Sequence, residues 1–230
     1  MNEIWILLLL MLTAALPVIF VFCWFRLRKS AFITPPEFLA ALSAGVVSLI
    51  VAFLLQSFFP LLHRDGPFAS FFNIFFRIAF LEELSRVIVL VPLFYFIKRK
   101  RSGLTARGGI TAAECAALGL VAGLGFAMLE SAFYGITDAN ITLLRAFTAA
   151  PVHGACGIRV GVAVFFFSSH PAKALFGFIF AVLIHGAYNM MIANPALPSA
   201  LAILIAITAL FSSLPLLKND GGNSHHQPTA

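Results

Sequence analysis

Residues 78–96 read IAFLEELSRVIVLVPLFYF, an apolar run that is interrupted near its start by three ionisable side chains. These are Glu82, Glu83 and Arg86. A charged side chain at the centre of a bilayer costs about 2.5–3.5 kcal/mol on insertion scales, so charged residues in a membrane segment point to function by default. The stretch therefore predicts a membrane-spanning helix whose charged residues are paired or line a hydrated cavity.

The composition of the whole chain indicates the same class of protein. Of its 230 residues, 61% are hydrophobic and 10% are charged, and the mean hydropathy is +1.00. Soluble domains carry about 25% charged residues, so the sequence predicts an integral membrane protein. Its three cysteines are far apart and indicate neither a disulfide framework nor a cysteine-rich zinc site. The net charge of +6 suits loops beside an anionic membrane face, and no basic and aromatic patch indicates nucleic-acid binding.

Long apolar runs of about 20 residues predict the transmembrane helices. The expected fold is all-α: a polytopic transmembrane bundle of about seven helices that forms a single domain over residues 1–217. The predicted helices cover residues 4–25, 38–62, 70–97, 112–134, 142–167, 172–193 and 198–217. The polar residues 218–230 are expected to form a disordered cytoplasmic tail.

Basic residues in alternate loops predict the orientation of the bundle. They follow the first, third, fifth and seventh predicted helices: Arg26, Arg28, Lys29, Lys98, Arg99, Lys100, Arg101, Arg107, Lys173 and Lys218. Because basic loops remain in the cytoplasm, we expect the N-terminus outside and the C-terminus inside. No basic segment precedes the first helix, which favours an uncleaved helix over a signal peptide.

Ionisable side chains on four predicted helices fall at similar depths. Glu82 and Glu83 lie near the middle of the third predicted helix, and Glu130 lies in the outer half of the fourth. His153 and His185 lie near the middle of the fifth and sixth. Three carboxylates and one arginine, left bare and ionised, would cost on the order of 10 kcal/mol. We therefore expect them to pair, lose their charge, bind an ion or line a wet cavity.

The spacing of these residues suits catalytic chemistry. Glu82 and Glu83 precede Arg86 by four and three residues, so one glutamate can face a cavity while the other engages the arginine. A buried glutamate can serve as a general base for water, and histidines can hold a divalent metal or stabilise an oxyanion. Asn189 lies one turn after His185, where it can orient the imidazole or bind the substrate backbone.

Structural roles remain open for the same residues and are expected for others. The carboxylate cluster could be a structural ion pair, and the histidines could form interhelical hydrogen bonds. Arg77, Arg145 and Arg159 lie closer to helix ends and are expected to snorkel towards the interface. Glu114 is expected to be a helix N-terminal carboxylate. Small-residue ridges that allow close helix packing are predicted at Gly119, Gly123, Gly154, Gly157 and Gly161.

Three short motifs occur in order on separate predicted helices. EELSR (82–86) fits E-E-x-x-R, FAMLE (126–130) fits F-x-x-x-E, and HGAYN (185–189) fits H-x-x-x-N. With these motifs the chain resembles the PrsW family of bacterial intramembrane proteases over residues 70–193. The related CPBP group, which includes the CAAX-prenyl proteases, has E-E-x-x-x-R and F-x-x-x-H. The arginine spacing and Glu130 therefore favour PrsW.

The resemblance implies a protease-like domain in the bacterial plasma membrane that hydrolyses a peptide bond of a single-pass membrane protein. In that family an anti-sigma factor receives a first cut on its outer side. The implied catalytic residues are Glu82, Glu83, Arg86, Glu130, His185 and Asn189. The candidate ligands of a divalent metal such as Zn²⁺ are His153, His185 and Glu130. Because no HExxH motif is present, a metal-free mechanism based on glutamate stays open.

Two other classes of function are compatible with the same polar residues. A proton- or ion-coupled transporter would use them as a relay, although the sequence shows neither an inverted repeat nor paired broken helices. A non-catalytic scaffold would keep a protease-like fold without cleaving anything. An ion flux that is lost in Glu82→Gln would indicate the transporter, and partner binding without proteolysis would indicate the scaffold.

Overall fold

The computed structural model describes residues 3–27, 33–62, 66–102, 109–136, 139–194 and 197–218, and these ranges contain helices and no strand. The α-helices are α1 (Glu3–Leu27), α2 (Pro35–Ser57), α3 (Pro67–Phe71), α4 (Leu81–Ser102), α5 (Ala112–Gly135), α6 (Ala139–Phe147), α7 (Ala149–Phe166), α8 (Pro171–Ala193) and α9 (Ser199–Ser213). A π-helical stretch, Phe72–Phe80, joins α3 directly to α4 and is called the π segment below. A 3₁₀ turn, Leu214–Leu217, follows α9.

Six helical stretches among the described residues are long and apolar enough to cross a membrane. They are Leu8–Leu27, Pro35–Ser57, Ala112–Gly135, Thr142–Phe166, Pro171–Ala193 and Ala200–Leu217. The predicted third span corresponds to α3, the π segment and α4, which form one continuous helical path but carry several charged side chains. The prediction of an all-α, multi-pass membrane bundle with about seven helices is confirmed.

Some predictions concern residues outside the described ranges. The basic loop residues Arg28, Lys29 and Arg107 lie there, and so does the predicted disordered tail from residue 219 onward. The orientation of the bundle and its treatment as a single domain over residues 1–217 stay predictions.

One arginine joins three helices at the end of the bundle where α2 and α5 begin. In the last turn of α4, Arg101 donates Nε and Nη2 to Glu37 at 2.9 Å each and Nη1 to Glu114 at 2.7 Å. Each carboxylate also accepts the backbone N–H of the threonine three residues before it, at 2.8 Å for Thr34 and 2.7 Å for Thr111. Both glutamates therefore cap the first turn of their helix, which confirms the expectation for Glu114.

The predicted fifth helix, 142–167, is divided in the structure. α6 ends at Phe147 and α7 begins at Ala149. Pro151 explains the break, because it has no N–H to donate to the Phe147 carbonyl and its ring would clash with that carbonyl in a continuous helix. Apolar periodicity does not reveal the break, since the residues on both sides of it are apolar.

Glycines allow α5 and α7 to pack with their backbones in contact. A Cβ at Gly119 would meet the Gly157 carbonyl, and a Cβ at Gly157 would meet the Gly119 carbonyl. Gly123 lies against the carbonyl of His153 in the same way. The predicted small-residue packing is confirmed at these positions, and it sets how closely α7 holds His153 against α5.

Replacing Gly157 by alanine is expected to destabilise the bundle, because the added Cβ has no space against the Gly119 carbonyl. Overpacking of this kind costs about 1–3 kcal/mol. The measurement is the thermal unfolding midpoint of the purified protein in detergent micelles, which should fall.

Gly177→Ala in α8 is the matched control for this prediction. A Cβ there makes ordinary contacts, at 3.7 Å from the Arg159 carbonyl oxygen and 3.8 Å from the Ala163 Cβ. Alanine also has a better helix propensity than glycine, so this midpoint should stay or rise slightly. Equal midpoints for the two variants would contradict the packing account.

Candidate active site

Polar side chains from four helices meet inside the bundle. They are Glu82, Glu83 and Arg86 on α4, Glu130 on α5, His153 on α7 and His185 on α8. The five residues on α4, α7 and α8 are all buried, and the most exposed of them, Glu82, has a relative exposure of 6%. The predicted convergence of these six residues is therefore confirmed, whereas their catalytic roles stay predictions.

The π segment positions the start of α4 against α8. Its Phe75 ring packs at Gly186, where a Cβ would meet the ring atoms. This glycine directly follows His185, so the close contact places α8 with its imidazole beside the first turn of α4. π-helical turns are rare and frequently occur at functional sites, where the wider turn changes the direction of side chains.

The first hydrogen-bonded chain of the site joins Arg86, Glu83 and His185. Glu83 Oε2 accepts from Arg86 Nη1, and Glu83 Oε1 is 2.8 Å from His185 Nδ1. Because an ionised carboxylate only accepts, Nδ1 carries the imidazole proton, and Nε2 is left with a free lone pair. Both oxygens of Glu83 are thus engaged, and His185 presents Nε2 to the rest of the site.

A second chain of the same kind joins Arg145, Glu130 and His153. Glu130 Oε2 lies 2.5 Å from Arg145 Nη2 and 2.9 Å from His153 Nε2. On its other side, His153 Nδ1 lies 3.4 Å from Arg86 Nη2. A guanidinium can only donate, so Nδ1 is the accepting nitrogen and Nε2 donates to Glu130. The two imidazole rings lie edge to face, with centroids 4.7 Å apart.

The prediction that Arg145 and Arg159 snorkel is wrong. Arg145, on α6, turns inward to Glu130 and stacks its guanidinium over the Tyr134 ring at 4.4 Å. Arg159 is 4% exposed and donates to the Ala155 carbonyl at 3.0 Å and to Ser212 Oγ at 2.7 Å. Both guanidiniums find hydrogen-bond acceptors within the protein, so neither needs to reach the interface.

Glu82 is the carboxylate of the site that keeps a free oxygen. Its Oε1 accepts a long hydrogen bond, 3.4 Å, from Gln56 Nε2 on α2. Its Oε2 is buried and has no hydrogen-bond partner among the described residues, with His185 Nε2 at 3.5 Å. Sequence reasoning missed Gln56, although a lone amide in the apolar second helix is a signal that could have identified it.

Asn189 is separate from this network in the structure. It is half-buried on α8, and among the described residues no hydrogen bond joins it to His185. Glu83 orients His185 instead, through Nδ1. A direct role of Asn189 in catalysis or substrate binding stays a prediction.

Three of these side chains fit a divalent metal ion. The ligand atoms of Glu82, His153 and His185 all lie within 4.8 Å of one another. Two imidazoles and one carboxylate form a usual ligand set of catalytic zinc, and the free Glu82 oxygen supports the fit. Histidines that bind a metal usually donate their other ring N–H to a carboxylate or carbonyl, and His185 donates Nδ1–H to Glu83 in this way. His153 would have to exchange one of its two hydrogen bonds in order to join.

The carboxylate in this metal-binding group differs from the predicted one. The predicted ligands are Glu130 and the two histidines, whereas Glu82 completes the group in the structure. Glu130 is instead held by His153 and Arg145. The residue types and depths of the two glutamates are alike, so sequence alone does not distinguish them.

A cleft of about 370 Å³ gives access to this cluster. Its walls come from α2, the π segment, α4 and α5, and Glu82 and Glu130 both line it together with Gln56, Arg77 and Tyr134. A larger cavity of about 410 Å³ lies between α1, α7 and α9, but its lining includes no ionisable side chain. The smaller cleft is therefore the candidate site for substrate binding and catalysis.

The comparisons with known proteins agree with this arrangement. The family model described as PrsW family intramembrane metalloprotease matches residues 35–214, which is well over half of the chain. Searches of curated proteins and of solved structures found no significant match. The matched range includes all the residues of the cluster and extends the resemblance beyond residues 70–193. The chain therefore belongs to the PrsW family of intramembrane metalloproteases.

Proposed function

We propose that the protein hydrolyses a peptide bond of a membrane-anchored protein in the cleft beside Glu82, with a water molecule that this carboxylate activates. The single observation that carries the proposal is the position of Glu82, whose side chain lines the accessible cleft while its buried Oε2 lies next to His185 without a hydrogen-bond partner among the described residues. Family membership supplies the reaction class, an intramembrane peptidase.

The hydrogen-bond network supports Glu82 over Glu83 as the general base. Glu83 is fully buried and has both oxygens engaged, one by Arg86 and one by His185. Glu82 instead lines the cleft and keeps one oxygen without a hydrogen-bond partner among the described residues, so it is the carboxylate with the capacity to accept a proton from water. Glu83 and Arg86 would instead position His185, so that Nε2 keeps pointing towards Glu82.

The hydrolysis then proceeds with these residues in defined roles. The water oxygen attacks the carbonyl carbon of the scissile bond while Glu82 accepts a proton from the water. As the bond between carbon and nitrogen breaks, the same proton passes to the departing amide nitrogen. The Gln56 amide, which has a second N–H besides the one directed at Glu82, is a neutral donor that could stabilise negative charge on the carbonyl oxygen.

A divalent ion, for which Zn²⁺ is the candidate, would be held by Glu82, His153 and His185, and Glu82 would then serve as a ligand in place of acting as the base. Bound there, it would act as a Lewis acid towards the carbonyl and favour ionisation of the attacking water. Glu83 would keep His185 in the correct tautomer, and Glu130 would do the same for His153.

The proposed substrate is a single-pass membrane protein such as an anti-sigma factor. The cleft is lined by the C-terminal halves of α2 and α5, through Phe53, Gln56, Glu130 and Tyr134. The basic-loop pattern predicts that this end of the bundle faces outward. A cut on the outer side of a membrane anchor would fit that placement, and we propose the plasma membrane of a bacterium as the location.

Glu82→Gln is expected to reduce cleavage by about 10²–10⁴-fold, because the amide cannot accept a proton from water. The change preserves shape, so the thermal unfolding midpoint should stay within a few degrees of the wild-type value. The assay uses proteoliposomes that contain a mixture of single-span model proteins with varied juxtamembrane sequences, and mass spectrometry identifies the products.

Glu114→Gln is the matched control for this assay. It also replaces a glutamate by an amide, but at the far end of α5, where glutamine can maintain the capping box. It should cleave at close to the wild-type rate. Undiminished cleavage by Glu82→Gln would eliminate Glu82 as the base.

Removal of metal is expected to abolish cleavage if the ion supplies the chemistry described above. Elemental analysis should find about one zinc or similar ion per chain, and cleavage that a chelator removes should return when the metal is added back. His153→Ala and His185→Ala should each lower the bound metal, because each removes one ligand. His170→Ala, at the exposed start of α8, is the matched control and should retain the metal. Full activity in a protein free of metal would favour the glutamate-type mechanism.

A further inference from the structure

Arg77 occupies an unexpected position in the wall of the active-site cleft. The sequence analysis expects it to snorkel, yet it is half-buried in the π segment and lines the same cavity as Glu82 and Glu130. Its Nε donates to the Phe59 carbonyl at 2.7 Å, which fixes the guanidinium at that wall. An arginine held in this way places a fixed positive charge in the wall of the cleft.

The π-helical geometry helps to direct Arg77 towards the cavity that Glu82 also lines. In a π-helix, residues five apart are joined by the i→i+5 hydrogen bond and lie on nearly the same face. In an α-helix, with about 100° per residue, they would point well apart. Arg77 lies in the π segment, which ends at Phe80, and Glu82 lies in the first turn of α4; the path between them is thus partly π-helical, and both side chains line the same cavity.

The guanidinium has unused hydrogen-bonding capacity. An arginine has five N–H donors, and the structure assigns one of them, on Nε, to Phe59. Among the described residues, no carboxylate forms an ion pair with Arg77, whereas Arg86 and Arg145 each pair with one carboxylate and Arg101 pairs with two. The two remaining nitrogens form the planar fork that binds carboxylates with two parallel hydrogen bonds.

The other charges of the cleft leave this site available to an anion. Glu130 is paired with Arg145 and His153, and Glu82 accepts from Gln56. Neither of these two carboxylates forms an ion pair with Arg77, although Glu82 keeps its Oε2 without a hydrogen-bond partner among the described residues.

On the basis of the proposed function, we propose that Arg77 binds a carboxylate of the substrate, and so selects polypeptides with an acidic group close to the cleaved bond. One helical turn rises by about 5 Å, and an extended chain advances about 3.3 Å per residue. A carboxylate on Arg77 therefore corresponds to a group within roughly two residues of the bond that faces Glu82. The carboxylate can belong to an Asp or Glu side chain or to the C-terminus of the substrate.

The test uses the full chain in proteoliposomes with a library of single-span peptides whose juxtamembrane segment is randomised. The library is made once with free and once with amidated C-termini, and mass spectrometry identifies the cleaved bonds. Wild-type protein should cleave peptides in which Asp and Glu are enriched about three- to fivefold within two residues of the bond. If cleavage instead occurs within two residues of a free C-terminus and is lost when that C-terminus is amidated, the recognised carboxylate is the terminal one.

Arg77→Glu should reverse this preference towards Lys and Arg, and Arg77→Lys should retain it in weaker form. For an acidic peptide, Arg77→Glu should raise KM and leave kcat nearly unchanged, because the contact with Arg77 is equally strong in the enzyme–substrate complex and in the transition state. Arg99→Glu, an exposed arginine near the far end of α4, is the matched charge reversal and should change neither value.

The outcomes separate this inference from the proposed function. Cleavage by wild type with neither acidic enrichment nor dependence on a free C-terminus, or with the same preference in Arg77→Glu, overturns the role of Arg77 and leaves the protease intact. No cleavage of any library peptide by wild type overturns the proposed function and this inference together.

Discussion

Charge inside a membrane-spanning bundle has to be neutralised by the protein itself, and this constraint organises the whole site. Two buried chains meet it in the same way, each with one guanidinium, one carboxylate and one imidazole. Arg86, Glu83 and His185 form the first, and Arg145, Glu130 and His153 form the second. Removing one partner of such a pair leaves an uncompensated buried charge, which typically costs about 3–5 kcal/mol. Their residues therefore stabilise the fold, apart from any role in the reaction.

Glu82 is the carboxylate that these two chains do not neutralise. With the imidazoles neutral, the cluster of three carboxylates and two guanidiniums has one negative charge in excess. A buried excess charge is tolerated only if something compensates for it, and a bound cation or a proton would do so. The fold thus builds a site whose charge balance favours a cation next to His185, in keeping with a metallopeptidase or a proton-accepting glutamate.

Much of this site could be predicted from the sequence, because the position of a residue within an apolar run gives its approximate depth in the membrane. The positions of Glu82, His153 and His185 within apolar runs predicted their convergence, and glycine spacing predicted the contact between α5 and α7. The same estimate failed for Arg145 and Arg159, since proximity to a helix end does not show whether a side chain turns inward. It also could not choose between Glu82 and Glu130 in the metal-binding group, because that choice depends on the side-chain directions of separate helices.

The proline that separates α6 from α7 has a geometric consequence for residues that it does not touch. Arg145 and His153 are eight positions apart, and in an unbroken helix they would be displaced by about 12 Å along a single axis. In the folded chain both lie within 3 Å of the same Glu130 oxygen, at 2.5 Å and 2.9 Å. The helix break that Pro151 explains thus allows a guanidinium and an imidazole that are separated along the chain to share one carboxylate oxygen.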